Sequence, residues 1–395
     1  MNKLKHLLQL LSHVRLSSPA RSDIVVFDEA GTFLLKQVVL KGLTYETLHS
    51  RFETLHLGLP VLWRILINAL TDPAGFSPGN TTSFMGQVYR VYLLACLEIT
   101  APKIVLTLTD NSYTFQWLSR KYRTARFIGI QNGSRLVNTV TALLPKPPSP
   151  ASVVSFPELV CFGQFEKDLY TGFGHKIDVF HMVGSLAGSY YKLELAKPDH
   201  APLFDICILS EWESDMHTVS GLKYFYAGLT RLENFMTLYC KERKPRICIA
   251  ARSQDPEEIA HFAGLFPSAE IIPGNREKMS SYFAMDDSKV VISLCCTAAV
   301  EAFGWGKKIL LCNLTGSDIY DFPKQGVWTF TEQVYEKFSD RLDRLLAMDD
   351  AEYRETSREA AGYLMNYDPK VPVHKYIRGL IDESLAPVPP GPGRS

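Results

Sequence analysis

The chain has 395 residues, 46% hydrophobic and 21% charged, the balance of a globular protein too long for one hydrophobic core. Its 42 Lys and Arg are matched by 42 Asp and Glu, which excludes the basic footprint that a nucleic-acid binder needs. No apolar run reaches the ~18 residues of a membrane-spanning helix.

The opening segment, MNKLKHLLQLLSHVRL, is basic, and Leu4, Leu7, Leu8, Leu11 and Val14 would share one helical face. It lacks the apolar core and cleavage site of a signal peptide. Two readings stand side by side: a helix packed on its own domain, and a helix lying on a membrane surface. Short β-rich runs follow at 23–28, 103–108, 126–131, 158–163 and 177–184, with helices expected over 60–72 and 82–100. Residues 193–204 are aperiodic and contain proline, and read as an interdomain linker. A second set of apolar runs occupies 205–210, 245–252, 269–274, 289–294 and 307–313, with helices over 219–242, 255–264 and about 297–305 between them. Helices over 331–348, 350–365 and 373–384 close the pattern, and 385–395 read as a disordered tail.

Continuous apolar strands alternating with helices indicate parallel sheets covered on both faces. Two such sets predict an α/β architecture of two Rossmann-like domains. Ligands of open α/β sheets bind beyond the carboxyl ends of the strands, so the cleft between the domains is the expected site. The eight cysteines lie mostly inside apolar runs, and none shows CxxC spacing with histidine partners. No zinc or other metal is therefore expected, and reduced buried thiols fit a cytoplasmic protein.

The most informative segment is ISLCCTAAVEAFGWGKKILLCN (292–313). A strand ends at Leu294, a turn of small residues runs through Cys295 and Cys296, and a short helix starts near Thr297. Free N–H groups at such a start suit a phosphate. Glu301, one turn further in, has the reach to accept both hydroxyls of a ribose. The competing reading is an ordinary crossover in which Glu301 is solvated.

Other candidates sit at strand ends. Asp110 could take a proton from an acceptor hydroxyl or orient it, or cap a helix with Asn111. Gln131, Asn132 and Arg135 could hold sugar hydroxyls, or Asn132-Gly133 could simply turn the chain. Asp28 and Glu29 form a carboxylate pair before Gly31, a second candidate base or a capping turn. Ser210 and Arg252 follow strands of the second set. A guanidinium at 252 could neutralise a leaving phosphate, which matters because no Asp-x-Asp metal motif is present. There is no Walker A sequence, no nucleophile elbow and no HExxH.

The order small/Thr–x–x–x–Glu-Ala–x–Gly–x–Gly-Lys in 297–307 resembles the donor-nucleotide loop of GT-B glycosyltransferases and the related sugar-nucleotide 2-epimerases. VVFDEAGTFLLKQVVL (25–40), HSRFETLHLGLPVL (49–62), PKIVLTLTDNSYTFQWL (102–118), RFIGIQNGSR (126–135), CFGQFEKDLY (161–170) and MVGSLAGSYY (182–191) together resemble a family of surface carbohydrate biosynthesis proteins, over roughly 23–320. SLCCTAAVEAFGWGKK departs from that family in its cysteines. The resemblance implies a GT-B-like fold, with an acceptor domain over 1–190, a donor domain over 191–350 and helices over 351–384 that pack back across the cleft.

It further implies a metal-independent glycosyltransferase without cofactor. Its substrates would be a nucleotide sugar and a surface glycan or lipid-linked precursor, in the cytoplasm or at the inner face of the plasma membrane. Donor binding would fall to Glu301, Thr297, Ala298, Cys296, Ser210 and Arg252. The acceptor would meet Asn111, Gln131, Asn132 and Arg135, with Asp110, Asp28 or Glu29 catalytic. The alternatives are a sugar-nucleotide 2-epimerase-like enzyme and a non-catalytic nucleotide-sugar or glycan-binding partner. A polyol-phosphate transferase ranks below them, because no histidine sits convincingly at a strand end.

Overall fold

A computed structural model describes residues 13–50, 53–71, 84–135, 153, 155–197, 200–214 and 223–387. The amphipathic segment 1–12 and most of the expected tail lie outside them. In the first half the chain runs β1 (Val14–Arg15), β2 (Ile24–Phe27), β3 (Glu46–Leu48), β4 (Leu55–His56), α1 (Leu59–Thr71), α2 (Phe84–Thr100), β5 (Ile104–Thr107) and α3 (Tyr113–Lys121). It continues through β6 (Arg126–Ile130), β7 (Ser155–Cys161), α4 (Gln164–Gly172), β8 (Lys176–Met182) and α5 (Leu186–Tyr190). The second half holds β9 (Phe204–Leu209), α6 (Lys223–Arg243), β10 (Ile247–Ala250), α7 (Pro256–Leu265), β11 (Glu270–Ile272), α8 (Ser280–Asp286), β12 (Ser288–Ser293) and α9 (Thr297–Gly304). Then come β13 (Lys308–Cys312), β14 (Thr329–Phe330), α10 (Tyr335–Ala347), α11 (Asp350–Leu364) and α12 (Val373–Leu385).

Two six-stranded sheets result, ordered β3-β2-β5-β6-β7-β8 and β11-β10-β9-β12-β13-β14, and every pairing is parallel. The apolar runs explain the pairing. Ile24–Phe27, Ile104–Thr107 and Ile247–Ala250 are buried at every position, as strands covered on both faces must be. The predicted two-sheet α/β architecture is therefore present. Strands β3 and β14 were not predicted: three and two residues are too short to show a period. Residues 193–195, read as linker, belong instead to a π-helical turn at Tyr191–Leu195, whose Tyr191 is buried beside Trp305.

The last helices join the halves. Helix α12 buries Val373, Ile377, Leu380 and Ile381 against Ile24, Val26, Ile104 and Ile128 of the first sheet. Helix α11 packs on α4 of the first half and on α9 of the second. The segment leaving α11 runs close over three glycines. A Cβ at Gly163 would lie 2.4 Å from the Tyr363 carbonyl oxygen, one at Gly184 2.0 Å from that of Asn366, and one at Gly304 2.4 Å from the Met365 side chain. Asn366 also receives the bond it needs, donating its N–H to the Phe162 carbonyl (2.8 Å) and its side-chain amide to that of Met182 (2.8 Å). Among the described residues no helix is long and apolar enough to cross a membrane.

Candidate functional site

A cavity of about 700 Å³ lies between the carboxyl ends of the two sheets. Its walls are the segments that follow the strands: Gly31 to Leu34 after β2, Leu108 after β5, Gln131 and Asn132 after β6, Ser185 to Ala187 after β8. From the second sheet come Leu209 to Glu211 and Glu213, Ala250 to Arg252, Gly274 to Arg276, and Cys295 to Ala298 with Glu301. This is where an open α/β sheet offers unpaired backbone N–H groups to a ligand.

At the centre of the second-half wall, β12 turns into α9. The Ser293 hydroxyl accepts the Cys296 N–H at 2.8 Å, which tightens the turn, and no side chain caps the helix at Cys296. The helix start, with Cys296, Thr297 and Ala298 on the cavity wall, so presents the positive end of its dipole to the cavity. Glu301 lies one turn in and is 4% exposed. One carboxylate oxygen accepts the Ser185 hydroxyl from the first half; the other accepts the Tyr282 hydroxyl at 2.5 Å. Burial pushes the Glu301 carboxyl up to about 7, against the lowering pull of these two hydroxyls. Glu301 is thus a buried acceptor on the cavity wall and not a solvated helix residue.

The neighbouring carboxylates hold loops. Glu211, after β9, accepts the N–H groups of Leu294 (2.8 Å) and Cys295 (3.1 Å) and the Ser293 hydroxyl (3.0 Å). Burial raises its pKa despite these bonds. The Ser210 hydroxyl donates to Glu258 at 2.5 Å, and Glu258 in turn accepts the Arg252 N–H at 2.7 Å, so Ser210 serves the turn after β10. The Arg252 guanidinium reaches the cavity wall but is paired with Glu213. Burial pushes the Cys296 thiol to about 12 and raises that of Cys295, so neither is a thiolate nucleophile near neutral pH.

The first-half candidates divide. Gln131 and Asn132 line the cavity. The Gln131 amide is fully engaged: it donates to Gly133 O and Glu166 Oε1, both at 2.9 Å, and accepts the Phe162 N–H at 3.0 Å. It shapes the loop 131–135. That loop crosses to the other half, where the Ser134 N–H meets Thr297 Oγ1 at 3.0 Å. Arg135 and Asp110 form a buried ion pair at 2.5 Å, and Arg135 also braces the Gly133 carbonyl. Asn111 is exposed, and Ser112 rather than Asp110 caps α3.

Asp28 sits in the left-handed region (φ 72°), with Oδ1 on the N–H groups of Glu29 and Ala30 and Oδ2 on the hydroxyls of Ser50 and Thr109. Burial alone would raise its pKa; the Ser50 hydroxyl and the two N–H groups outweigh it and leave it lowered. A carboxylate already saturated by four donors is a poor base. Glu29 is paired with Lys36 at 2.6 Å. It also lies with His49 and Glu53 so that three ligand-type atoms fall within 4.8 Å of one another, but the His49 ring is already bonded to Glu53 at 2.8 Å. The cavity wall does not include Asp28, Glu29, Asp110, Asn111 or Arg135.

Among the polar wall residues Ser185, Glu213 and Tyr282 carried no site assignment in the sequence, while Glu211 and Arg276 stood there in the strand-end groups Ser210-Glu211 and Asn275-Arg276. Ser185 stands in the Gly-Ser turn of 182–191, and Glu211 directly follows Ser210, so strand-end position was the available signal for both. Tyr282 lies on a seven-residue helix whose face no periodicity could orient.

No protein-family model matches the chain, and no curated protein matches it by sequence. Solved structures do resemble it. A protein described as a UDP-N-acetylglucosamine 2-epimerase from Listeria monocytogenes is 12% identical, with 93% of this chain and 97% of that one covered and a TM-score of 0.53. The UDP-GlcNAc 2-epimerase of Methanocaldococcus jannaschii, in complex with UDP-GlcNAc and UDP, is 11% identical over 90% and 98% of the two chains, with a TM-score of 0.50. Sucrose-phosphate synthase of Thermosynechococcus elongatus is 12% identical over 92% and 99%, at 0.48. At these identities the first two carry the fold, which is GT-B-like: two parallel-sheet α/β halves around a cleft.

Proposed function

We propose that this chain is a glycosyltransferase that binds a nucleotide sugar in the cleft and transfers the sugar to a surface glycan or its lipid-linked precursor, without a metal ion. The observation that carries this reading is the conjunction at α9. An uncapped helix start faces a 700 Å³ cavity, and a buried carboxylate stands one turn behind it. The helix start suits a phosphate, and Glu301 suits a pair of vicinal hydroxyls. Arg252 and Arg276 on the same wall would stabilise the departing phosphate, and the closed cleft would hold two substrates in line. Of the wall carboxylates Glu211, Glu213 and Glu301, Glu211 is taken up by the Ser293, Leu294 and Cys295 donors, which leaves Glu213 and Glu301 for an acceptor. On this reading Asp110, Arg135 and Gln131 position the loop 131–135 from behind.

The competing reading is a sugar-nucleotide 2-epimerase-like enzyme, favoured by the wall carboxylates Glu213 and Glu301, since such chemistry needs acid and base but no acceptor. Proton NMR of the purified protein with CMP-, UDP-, GDP- and dTDP-sugars separates the two. Release of free nucleotide that depends on an added glycan supports transfer. Appearance of an isomeric nucleotide sugar with no acceptor present would replace the transferase by the epimerase.

Two further results are expected. Glu213→Ala frees the Arg252 guanidinium from its partner, and donor affinity measured by titration calorimetry should rise about 1.5-fold to fivefold, the scale of one screened ion pair. Unchanged affinity would remove Arg252 from the donor site. Donor affinity should also depend on pH. In the free protein Glu301 holds a proton below about 7. Hydroxyl donors favour the ionised form, so binding below that pH must expel a proton. Affinity should therefore fall as pH drops from about 7 and level off above it. In Glu301→Gln the slope should vanish.

A further inference from the structure

Two aromatic rings, Phe225 and Tyr320, stand half-buried on the cavity wall. Phe225 lies in the first turn of α6, and Tyr320 ends a single 3-10 turn, Asp318–Tyr320, that follows β13. Their ring centroids are 5.5 Å apart, with the planes at 52°. Rings so placed forfeit part of the burial that the same side chains gain in a core. The surrounding chain nevertheless holds them there. A Cβ at Gly228, one turn beyond Phe225, would lie 2.7 Å from the Thr315 side chain and 3.0 Å from that of Leu294, so only glycine lets α6 sit this close to the segment after β13. That segment is pinned from within. The Asn313 side-chain amide donates to the Ser317 carbonyl (2.8 Å) and to Asp321 Oδ1 (2.6 Å), and its oxygen accepts the Thr315 hydroxyl (2.6 Å). Both rings are therefore in place before a ligand arrives, which cuts the ordering cost of binding.

Position along the wall determines what the rings meet. Glu301, with its partner Tyr282, follows the start of α9, and Cys295 precedes it. Cys295 and Tyr320 line one small void behind the turn. The wall thus runs from Tyr282 and Glu301, through the helix start, to Cys295, Tyr320 and Phe225. A nucleotide sugar is linear in the same sense, since ribose, phosphate and sugar follow one another. With ribose hydroxyls at Glu301 and phosphate at the helix start, the next group along the wall is the sugar. A pyranose has faces lined by C–H groups and a rim of hydroxyls, and a C–H face packs on the electron-rich face of an aromatic ring.

We infer that Phe225 and Tyr320 form a stacking platform for the sugar of the donor and are specificity-determining residues for it. This rests on the nucleotide-sugar reading of the cleft. It adds the class of group at the far end of the donor: a sugar ring with an apolar face, and not an open-chain polyol, which has no ring face to stack.

Calorimetric titration of the full chain tests this with CMP, UDP, GDP and dTDP beside CMP-N-acetylneuraminate, UDP-N-acetylglucosamine, GDP-mannose and dTDP-glucose. For the nucleotide that binds, the free form and the sugar conjugate each give a dissociation constant. In Phe225→Ala and in Tyr320→Ala the constant for the free nucleotide should match wild type, which also reports an intact fold. The constant for the conjugate should rise about threefold to tenfold, the scale of one aromatic contact. Tyr320→Phe, which keeps the ring, should match wild type with both ligands. An unchanged ratio of the two constants in both alanine variants would overturn the platform. So would parallel loss of free nucleotide and conjugate, which would make the rings structural, or a loss in Tyr320→Phe equal to that in Tyr320→Ala, which would replace stacking by a hydroxyl contact. Wild type that binds none of the eight compounds would sink the nucleotide-sugar reading itself, and the platform with it.

Discussion

Replacing Glu301 by alanine is expected to weaken nucleotide-sugar binding by roughly 10- to 100-fold while leaving the protein folded. The magnitude follows from the chemistry: hydrogen bonds to a charged group contribute about 1.5–3 kcal/mol each, and every 1.4 kcal/mol is a factor of ten. The free carboxylate is already used by Ser185 and Tyr282, so binding exchanges or shares those partners and only part of the gross energy appears as affinity. For the same reason the fold should survive. Alanine removes a group whose burial already pushes its pKa up, and it leaves two hydroxyls beside a cavity where water can reach them. Glu301→Gln, which keeps one acceptor oxygen, should lose less. Calorimetric titration decides it: equal dissociation constants in wild type and Glu301→Ala would mean that the carboxylate is not a ligand for the donor.

The largest stability effect is expected at Gly184. Its φ of +98° is a conformation that side chains avoid, and a Cβ there would sit 2.0 Å from the Asn366 carbonyl oxygen. The strained backbone costs about 1–3 kcal/mol and the overpacking a similar amount, so Gly184→Ala should lose about 3 kcal/mol or more. The consequence reaches the site, because the next residue is the Ser185 that bonds Glu301, and Asn366 belongs to the segment that ties α11 to the first sheet. Denaturant unfolding should show a lower midpoint with the slope little changed. Gly172→Ala, where a new Cβ meets nothing within 4 Å, is the matched control and should be near neutral. Equal midpoints for the two variants would show that the 366 segment yields easily and does not lock the halves together.

Much of this architecture was legible because buried parallel strands leave plain marks. Runs such as IVVF, ICIA and KILLC are apolar at nearly every position, and the helices between them are long enough to show a period. The turn from β12 into α9 was legible for a different reason: small residues, a glutamate one turn in and two glycines have few joint structural uses. The partners that decide what a polar residue does were not legible. Asp110 and Arg135 are 25 residues apart and pair with each other; Gln131 turns to Glu166, 35 positions later; Arg252 is held by Glu213. A strand-end carboxylate reads the same in sequence whether it faces a cavity or an arginine behind the loop. Ser185 and Tyr282 meet Glu301 only through tertiary packing, across 116 and 19 positions.

The most direct test of the central claim is a thermal-shift screen of the purified full-length protein against CMP-, UDP-, GDP- and dTDP-sugars. A ligand that binds only the folded form stabilises it by about 2.7 kcal/mol at a hundred times its dissociation constant, enough to see as a rise in Tm. The account predicts such a rise with one nucleotide class and its loss in Glu301→Ala. No shift with any of the four, at millimolar concentration, would contradict a nucleotide-sugar site in the cleft.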